Sequence, residues 1–224
     1  MKVRLGMMGM VLALSVTAAH AQVTSEGQSN ESAAKEYFDG TRVFIKAGPG
    51  MSSLSTSDSS LSGTRSGISI AAEADLPLSG RFSLLTGLDY VQKGMTMGIE
   101  GLASATIALN YLEIPIQAKA NFQWGPASQF SLAAGPYVAF AISKSTSADF
   151  LGESVSPDSG TSVSSISSLD YGARVGANYE YSFQKSLSFV AGLNYDIGLK
   201  NIDTSGSSVH TRSMIGNVGL GMHI

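Results

Sequence analysis

Residues equipped for covalent or metal chemistry are scarce in this 224-residue chain, which holds no cysteine and three histidines, His20, His210 and His223. The lack of thiols excludes disulfides and thiolate metal sites, and neither His210 nor His223 sits in a ligand spacing such as HExxH. A hydrolytic centre would have to draw on His210, Ser213 and a loop carboxylate such as Asp203. Such chemistry needs a base oriented by a third group and held within hydrogen-bond reach of its nucleophile. The spacing of these three residues imposes no such arrangement, and no phosphate-cradling loop is present. The expectation is a protein that is not an enzyme, with no catalytic residue, no cofactor and no metal.

Charge is placed far more regularly. Lys46, Lys93, Lys119, Arg174 and Lys200 alternate along the chain with outward apolar neighbours, and so do Glu73, Asp75, Asp89, Glu113, Glu180 and Asp196. If these faces turn inward, the two signs must neutralise one another, because an unpaired buried charge is costly. The set is therefore expected to be an ion-pair network filling an interior. A narrow polar conduit, or a ligand site near the rim, is the other reading of the same residues.

Period-two patterning positions these groups. In residues 68–78, Ile68, Ile70, Ala72, Ala74, Leu76 and Leu78 share one face, with Ser69, Glu73 and Asp75 on the other. Residues 187–199 repeat the pattern: Leu187, Phe189, Ala191, Leu193, Tyr195, Ile197 and Leu199 oppose Ser188, Asn194 and Asp196. Successive strand residues point to opposite faces, so each segment has one apolar and one polar side. Thirteen alternating residues exceed the usual ~5–6 of a sandwich strand and cover the ~9–11 of a tilted membrane strand. Eight such segments are expected, at 41–48, 68–78, 82–93, 106–122, 130–143, 169–181, 187–199 and 211–224.

The connections alternate too. Short turns at 79–81, 123–129 and 182–186 separate longer loops at 49–67, 94–105, 144–168 and 200–210. Sorting of loops by parity is the habit of outer-membrane barrels, with turns in the periplasm and loops outside. Aromatic residues cluster at both ends of the segments, denser at the short turns, as membrane interfaces favour. The reading is an all-β fold: an eight-stranded antiparallel up-and-down transmembrane β-barrel over residues 41–224.

Compartment and composition agree with this. Residues 1–21 have a basic start, an apolar core and an Ala19-His20-Ala21 ending, the form of a signal peptide. Residues 22–40 are polar and are read as a periplasmic linker or loosely docked arm. The charged fraction of 14% is below the ~25% of soluble domains, and the net charge of -3 excludes the basic footprint of a nucleic-acid binder.

Two segments, LNYLEIPIQAKANF at 109–122 and FSLAAGPYVAFAIS at 130–143, are similar to the PorT-like outer-membrane β-barrel family of Bacteroidetes. So are PLSGRFSL at 77–84, YVQKG at 90–94, LDYGARVGANYEYS at 169–182 and GLNYDIGLKNID at 192–203. The resemblance covers nearly all of 43–224 and implies an eight-stranded barrel in a Gram-negative outer membrane. The family's name comes from a secretion-associated member, but most members have no assigned activity, so the resemblance does not extend to secretion.

The longest loop, 144–168, has ten serines among its 25 residues, with Phe150, Leu151, Val155, Val163 and Ile166 as isolated apolar points. These are the candidate contacts for a partner. The expected function is a non-catalytic outer-membrane protein with a structural or surface-interaction role; a narrow small-solute channel or a secretion or transport accessory is the alternative. The expected partners are outer-membrane lipids along the wall and an unidentified extracellular or periplasmic protein. No nucleic-acid partner is expected.

Overall fold

The computed structural model describes residues 38, 40–56, 63–99, 103–150, 153–155, 166–203 and 208–224. The expected signal peptide and nearly all of the expected linker fall outside them. Among the described residues nine strands form one antiparallel sheet: β1 (Arg42–Thr56), β2 (Thr64–Ser79), β3 (Phe82–Ile99), β4 (Ala103–Gln123), β5 (Ser128–Phe150), β6 (Glu153–Val155), β7 (Leu169–Gln184), β8 (Leu187–Gly198) and β9 (Val209–His223). The order is β4-β3-β2-β1-β9-β8-β7-β5, and β4 pairs with β5, so the sheet closes on itself. The result is a closed eight-stranded up-and-down barrel, to which β6 adds only a three-residue flap on the end of β5. Closure leaves no sheet edge within the wall, which lipid requires because it offers backbone groups no hydrogen bonds.

The apolar faces point outward as the alternation dictates. Ile70, Leu88, Ile116, Leu193, Val218 and Leu220 are all exposed, while Glu73, Asp89, Gln117, Asn194 and Asn217 are buried inside. This inverts the distribution of a soluble domain. Rings of Phe82, Trp124, Tyr181, Phe183 and Phe189 at the short-turn end, and of Phe140, Tyr171 and Tyr195 toward the other, face outward.

Strand limits differ from the sequence reading at the long-loop end. Pairing continues to Ser53↔Thr64 in the first hairpin and to Ile99↔Ala103 in the second, and β5 runs seven residues beyond 143. Residues 49–56, 94–99 and 144–150 are therefore strand. The alternation of apolar residues marks only the lipid-facing part of each strand, and beyond it the hydrogen-bonded ladder continues with mostly polar outward residues, as at Ser143, Ser145 and Ser147 of β5. A bulge opposite Asn110 and Tyr111, whose partners step from Ser143 to Ala141, reverses the phase of β5. Lys144 consequently turns to the inner side and donates through Nζ to the Ile166 carbonyl.

Close coiling of an eight-stranded wall demands small residues at certain crossings. A Cβ at Gly87 would lie 2.3 Å from the Ala72 carbonyl oxygen of β2.

Candidate functional site

An eight-stranded barrel has an interior just wide enough for its own side chains, and here they are unusually charged. Among the described residues, five cations and seven carboxylates are buried in it: Arg42, Lys46, Lys93, Lys119 and Arg174 against Glu73, Asp75, Asp89, Glu113, Asp170, Glu180 and Asp196. The strands place them at odd or even positions by simple alternation, and the register stacks them into two clusters.

The central cluster surrounds Arg174 of β7. Its Nε donates to Asp196 Oδ1 at 2.6 Å, its Nη2 to Glu113 Oε2 at 2.6 Å and Asp196 Oδ2 at 3.0 Å, and its Nη1 to Asp89. Lys93 Nζ lies 2.7 Å from Glu113 Oε1 and 3.4 Å from Asp196 Oδ2, and Ser213 donates to Asp196 at 3.1 Å. Lys46 pairs with Glu73 at 2.5 Å. Planar guanidinium geometry suits Arg174 to several carboxylates at once, which a lysine cannot match.

The second cluster lies toward the short turns. Arg42 donates to Asp75 at 2.6 Å and Glu180 at 2.8 Å, Lys119 donates to Asp75 at 2.6 Å, and Ser188 donates to Glu180 at 2.7 Å. The Arg42 guanidinium also lies 5.6 Å from the Phe38 ring centroid and 5.9 Å from that of Phe44.

Above the central cluster the interior becomes apolar. Leu54, Met95, Leu109, Tyr111, Tyr137, Ala139 and Ile202 form one buried group, and the Lys93 ammonium lies 4.6 Å from the Tyr137 ring centroid. Ile202 comes from the segment after β8 and is fully buried. Its backbone is held on both sides, as Ile202 N donates to the Val209 carbonyl at 2.9 Å and Ser167 N donates to the Ile202 carbonyl at 2.7 Å. The long-loop end is thereby stoppered by a side chain from its own loop.

Ten of the eleven charged residues singled out in the sequence lie in these clusters. Lys200 does not: β8 ends at Gly198, Leu199 N and Lys200 N both donate to the Tyr171 carbonyl, and the ammonium donates to Ser167 Oγ at 2.8 Å. It ties a loop to the rim. Two buried charges were missed, Arg42 and Asp170, the latter accepting from Thr211 Oγ1 at 2.7 Å. Each shares the phase of a residue already singled out, Arg42 with Lys46 and Asp170 with Arg174, and that parity was the available signal.

Among the loop candidates, Ile166 bridges to Asp203 and packs half-buried against the apolar stopper. Leu151 and Val163 lie outside the described residues; Phe150 and Val155 belong to β5 and β6, and nothing further is described of them. The hydrolytic candidates are not brought together: His210 Nε2 pairs with Ser208 Oγ at 3.2 Å, while Ser213 is engaged with Asp196 in the lumen. Among the described residues no group of three or more His, Asp or Glu is arranged to hold a metal ion.

Residues 21–204 match the family model described as outer membrane protein beta-barrel domain. No curated protein matches the chain. Solved structures similar to it include Neisserial surface protein A, at 15% identity and TM-score 0.48 over 81% of this chain and 97% of that one. Outer membrane protein OprG from Pseudomonas aeruginosa aligns at 12% identity and TM-score 0.47, over 84% of this chain and 99% of that one. The attachment invasion locus protein Ail of Yersinia pestis does so at 11% identity and TM-score 0.41, over 82% and 99%.

Proposed function

This chain belongs to the outer membrane protein beta-barrel domain family, and on that premise we propose that it is a non-catalytic barrel with a closed lumen, acting through the surface it presents beyond the membrane. It resides in the outer membrane. In this reading residues 1–21 are a signal peptide, both ends of the barrel chain and the short turns lie in the periplasm, and the long hairpins stand outside. Membership of the PorT-like branch belongs to the same proposal and rests on the segments at 109–122 and 130–143.

One observation carries the functional reading: among the described residues, paired charged side chains occupy the lumen and Ile202 is fully buried in the apolar group at its long-loop end. A channel needs a continuous wet route. Here Arg174 spans from β7 to carboxylates on β3, β4 and β8, crossing the bore. What remains for function is the outside, where β3, β4 and β5 run 18, 21 and 23 residues, well beyond the ~9–11 that a bilayer occupies.

Planar-bilayer recording of the purified, refolded chain tests this. The expected result is no steady unit conductance. Reproducible unitary steps would replace the closed-barrel reading with the narrow-channel one.

A further inference from the structure

One cation of the wall stands apart from the lumen. Among the strand residues whose side chains are described, Arg212 of β9 is the single charged group on the outer face. It is exposed, whereas Thr211 and Ser213 on either side of it are buried. Its guanidinium meets no ion-pair or hydrogen-bond partner among the described residues.

The register gives its surroundings. Arg212 lies opposite Ser53 of β1 and Ile197 of β8, and His210, one pleat further along, lies opposite Ser55. Ser53, Ser55 and His210 are half-buried on this outer face, and His210 Nδ1 has no hydrogen-bond partner. One pleat toward the short turns, the same two strands present Met51 and Met214, 51% and 48% exposed. The outer surface therefore changes from apolar to polar between Met214 and Arg212. Height along the wall agrees. Met222 and Arg212 are ten positions apart, about 33 Å at ~3.3 Å each, which a strand tilt of ~40° reduces to about 25 Å, the height of the apolar band in such barrels. A guanidinium inside that band would be stripped of water, whereas at its boundary it meets lipid headgroups.

We propose that Arg212, together with the hydroxyls of Ser53 and Ser55, binds the phosphomonoester of a lipid headgroup in the leaflet on the long-loop side, an inference that rests on the outer-membrane reading above. A phosphomonoester carries close to two negative charges and three acceptor oxygens. The planar fork of Arg212 supplies two parallel charged donors. The two serines of β1 add hydroxyl donors beside it, and His210 bounds the site on its outer side. A phosphodiester, with one charge and two free oxygens, uses these donors less fully. The site so formed fixes one lipid against the seam of β1, β8 and β9, on a wall whose other charges point inward.

Nanodiscs of phosphatidylcholine doped with phosphatidic acid, whose headgroup is a bare phosphomonoester, test this. The purified chain is refolded into them, and native mass spectrometry of the released barrel reads its apparent affinity for phosphatidic acid. Arg212→Gln is expected to weaken that affinity at least ~10-fold, equivalent to about 1.4 kcal/mol. Arg81→Gln, at the opposite end of the barrel, leaves it unchanged. Equal retention by the unaltered chain and Arg212→Gln overturns the proposal, and so does an equal loss in Arg81→Gln, which marks a general attraction to interfacial cations. Retention of phosphatidylglycerol, an anionic phosphodiester, as firmly as phosphatidic acid overturns the phosphomonoester assignment. Displacement of the lipid by inorganic phosphate at matched concentration overturns the lipid assignment, since the ligand is then a free ion. Heat-modifiable mobility scores insertion separately. Failure of every form to insert overturns the membrane reading and the proposal with it, whereas normal insertion with equal retention overturns the proposal alone. Should Arg212→Gln alone fail to insert, Ser53→Ala with Ser55→Ala reads the same site, again with weakened retention expected.

Discussion

Arg174→Met keeps most of the side chain's length and removes its charge from the centre of the barrel. Arg174 is 1% exposed and bonds three carboxylates. Without it, Glu113 and Asp196 retain Lys93 at 2.7 and 3.4 Å, and Asp196 retains Ser213 at 3.1 Å. Asp89 fares worse, because its ion pair is with Arg174 and its Oδ1 already lacks a hydrogen bond. Stranding one buried charge costs about 3–5 kcal/mol, and each charged hydrogen bond lost from the other two carboxylates adds ~1.5–3 kcal/mol before relaxation. The expected loss is about 5 kcal/mol or more, a large share of the ~5–15 kcal/mol stability of an ordinary domain. Adding Asp89→Asn removes the stranded charge and should recover about half of the loss, on the scale of that single penalty. Urea titration in micelles, followed by heat-modifiable mobility and by emission of Trp124, measures both. A loss below ~1 kcal/mol, the worth of an exposed pair, or no recovery in the double variant, would refute the argument that these carboxylates depend on Arg174.

Three further outcomes follow from the same geometry. Lys46→Met alone should cost ~3–5 kcal/mol and Lys46→Met with Glu73→Leu close to nothing, because both partners of this 2.5 Å pair are buried and an apolar pair replaces them without leaving a charge behind; the double-mutant cycle in urea reads the difference. Val218→Arg, on the outer face of β9 at 54% exposure, should cost ~2–4 kcal/mol in lipid vesicles if it lies near the bilayer midplane, and much less in a wall facing water. Gly87→Val should prevent assembly of the heat-modifiable form, since its Cβ would fall 2.3 Å from the Ala72 carbonyl oxygen, which belongs to the neighbouring strand and has no room to retreat.

The alternation of side chains carried most of the fold. A strand has a period of two whatever its neighbours, so parity alone put Ile68 and Leu193 outside and Glu73, Arg174 and Asp196 inside. Loop lengths then implied which strands are joined by tight turns. The charged lumen was legible for the same reason, and Arg42 and Asp170 were readable by the rule that found their neighbours on β1 and β7. Parity is local, however, and says nothing about where pairing stops or which inward groups meet. Strands β1 to β5 continue past their apolar alternation because a hydrogen-bonded ladder needs a partner backbone, and lipid-facing residues are needed only where lipid is. The bulge that turns Lys144 inward, the departure of Lys200 from the lumen and the stopper formed by Ile202 depend on register and chain reversal between segments far apart in sequence. Which faces meet lipid follows from residue order alone, whereas the carboxylate that each cation meets follows from closure of the sheet, because those distances are set by the stagger of all eight strands together.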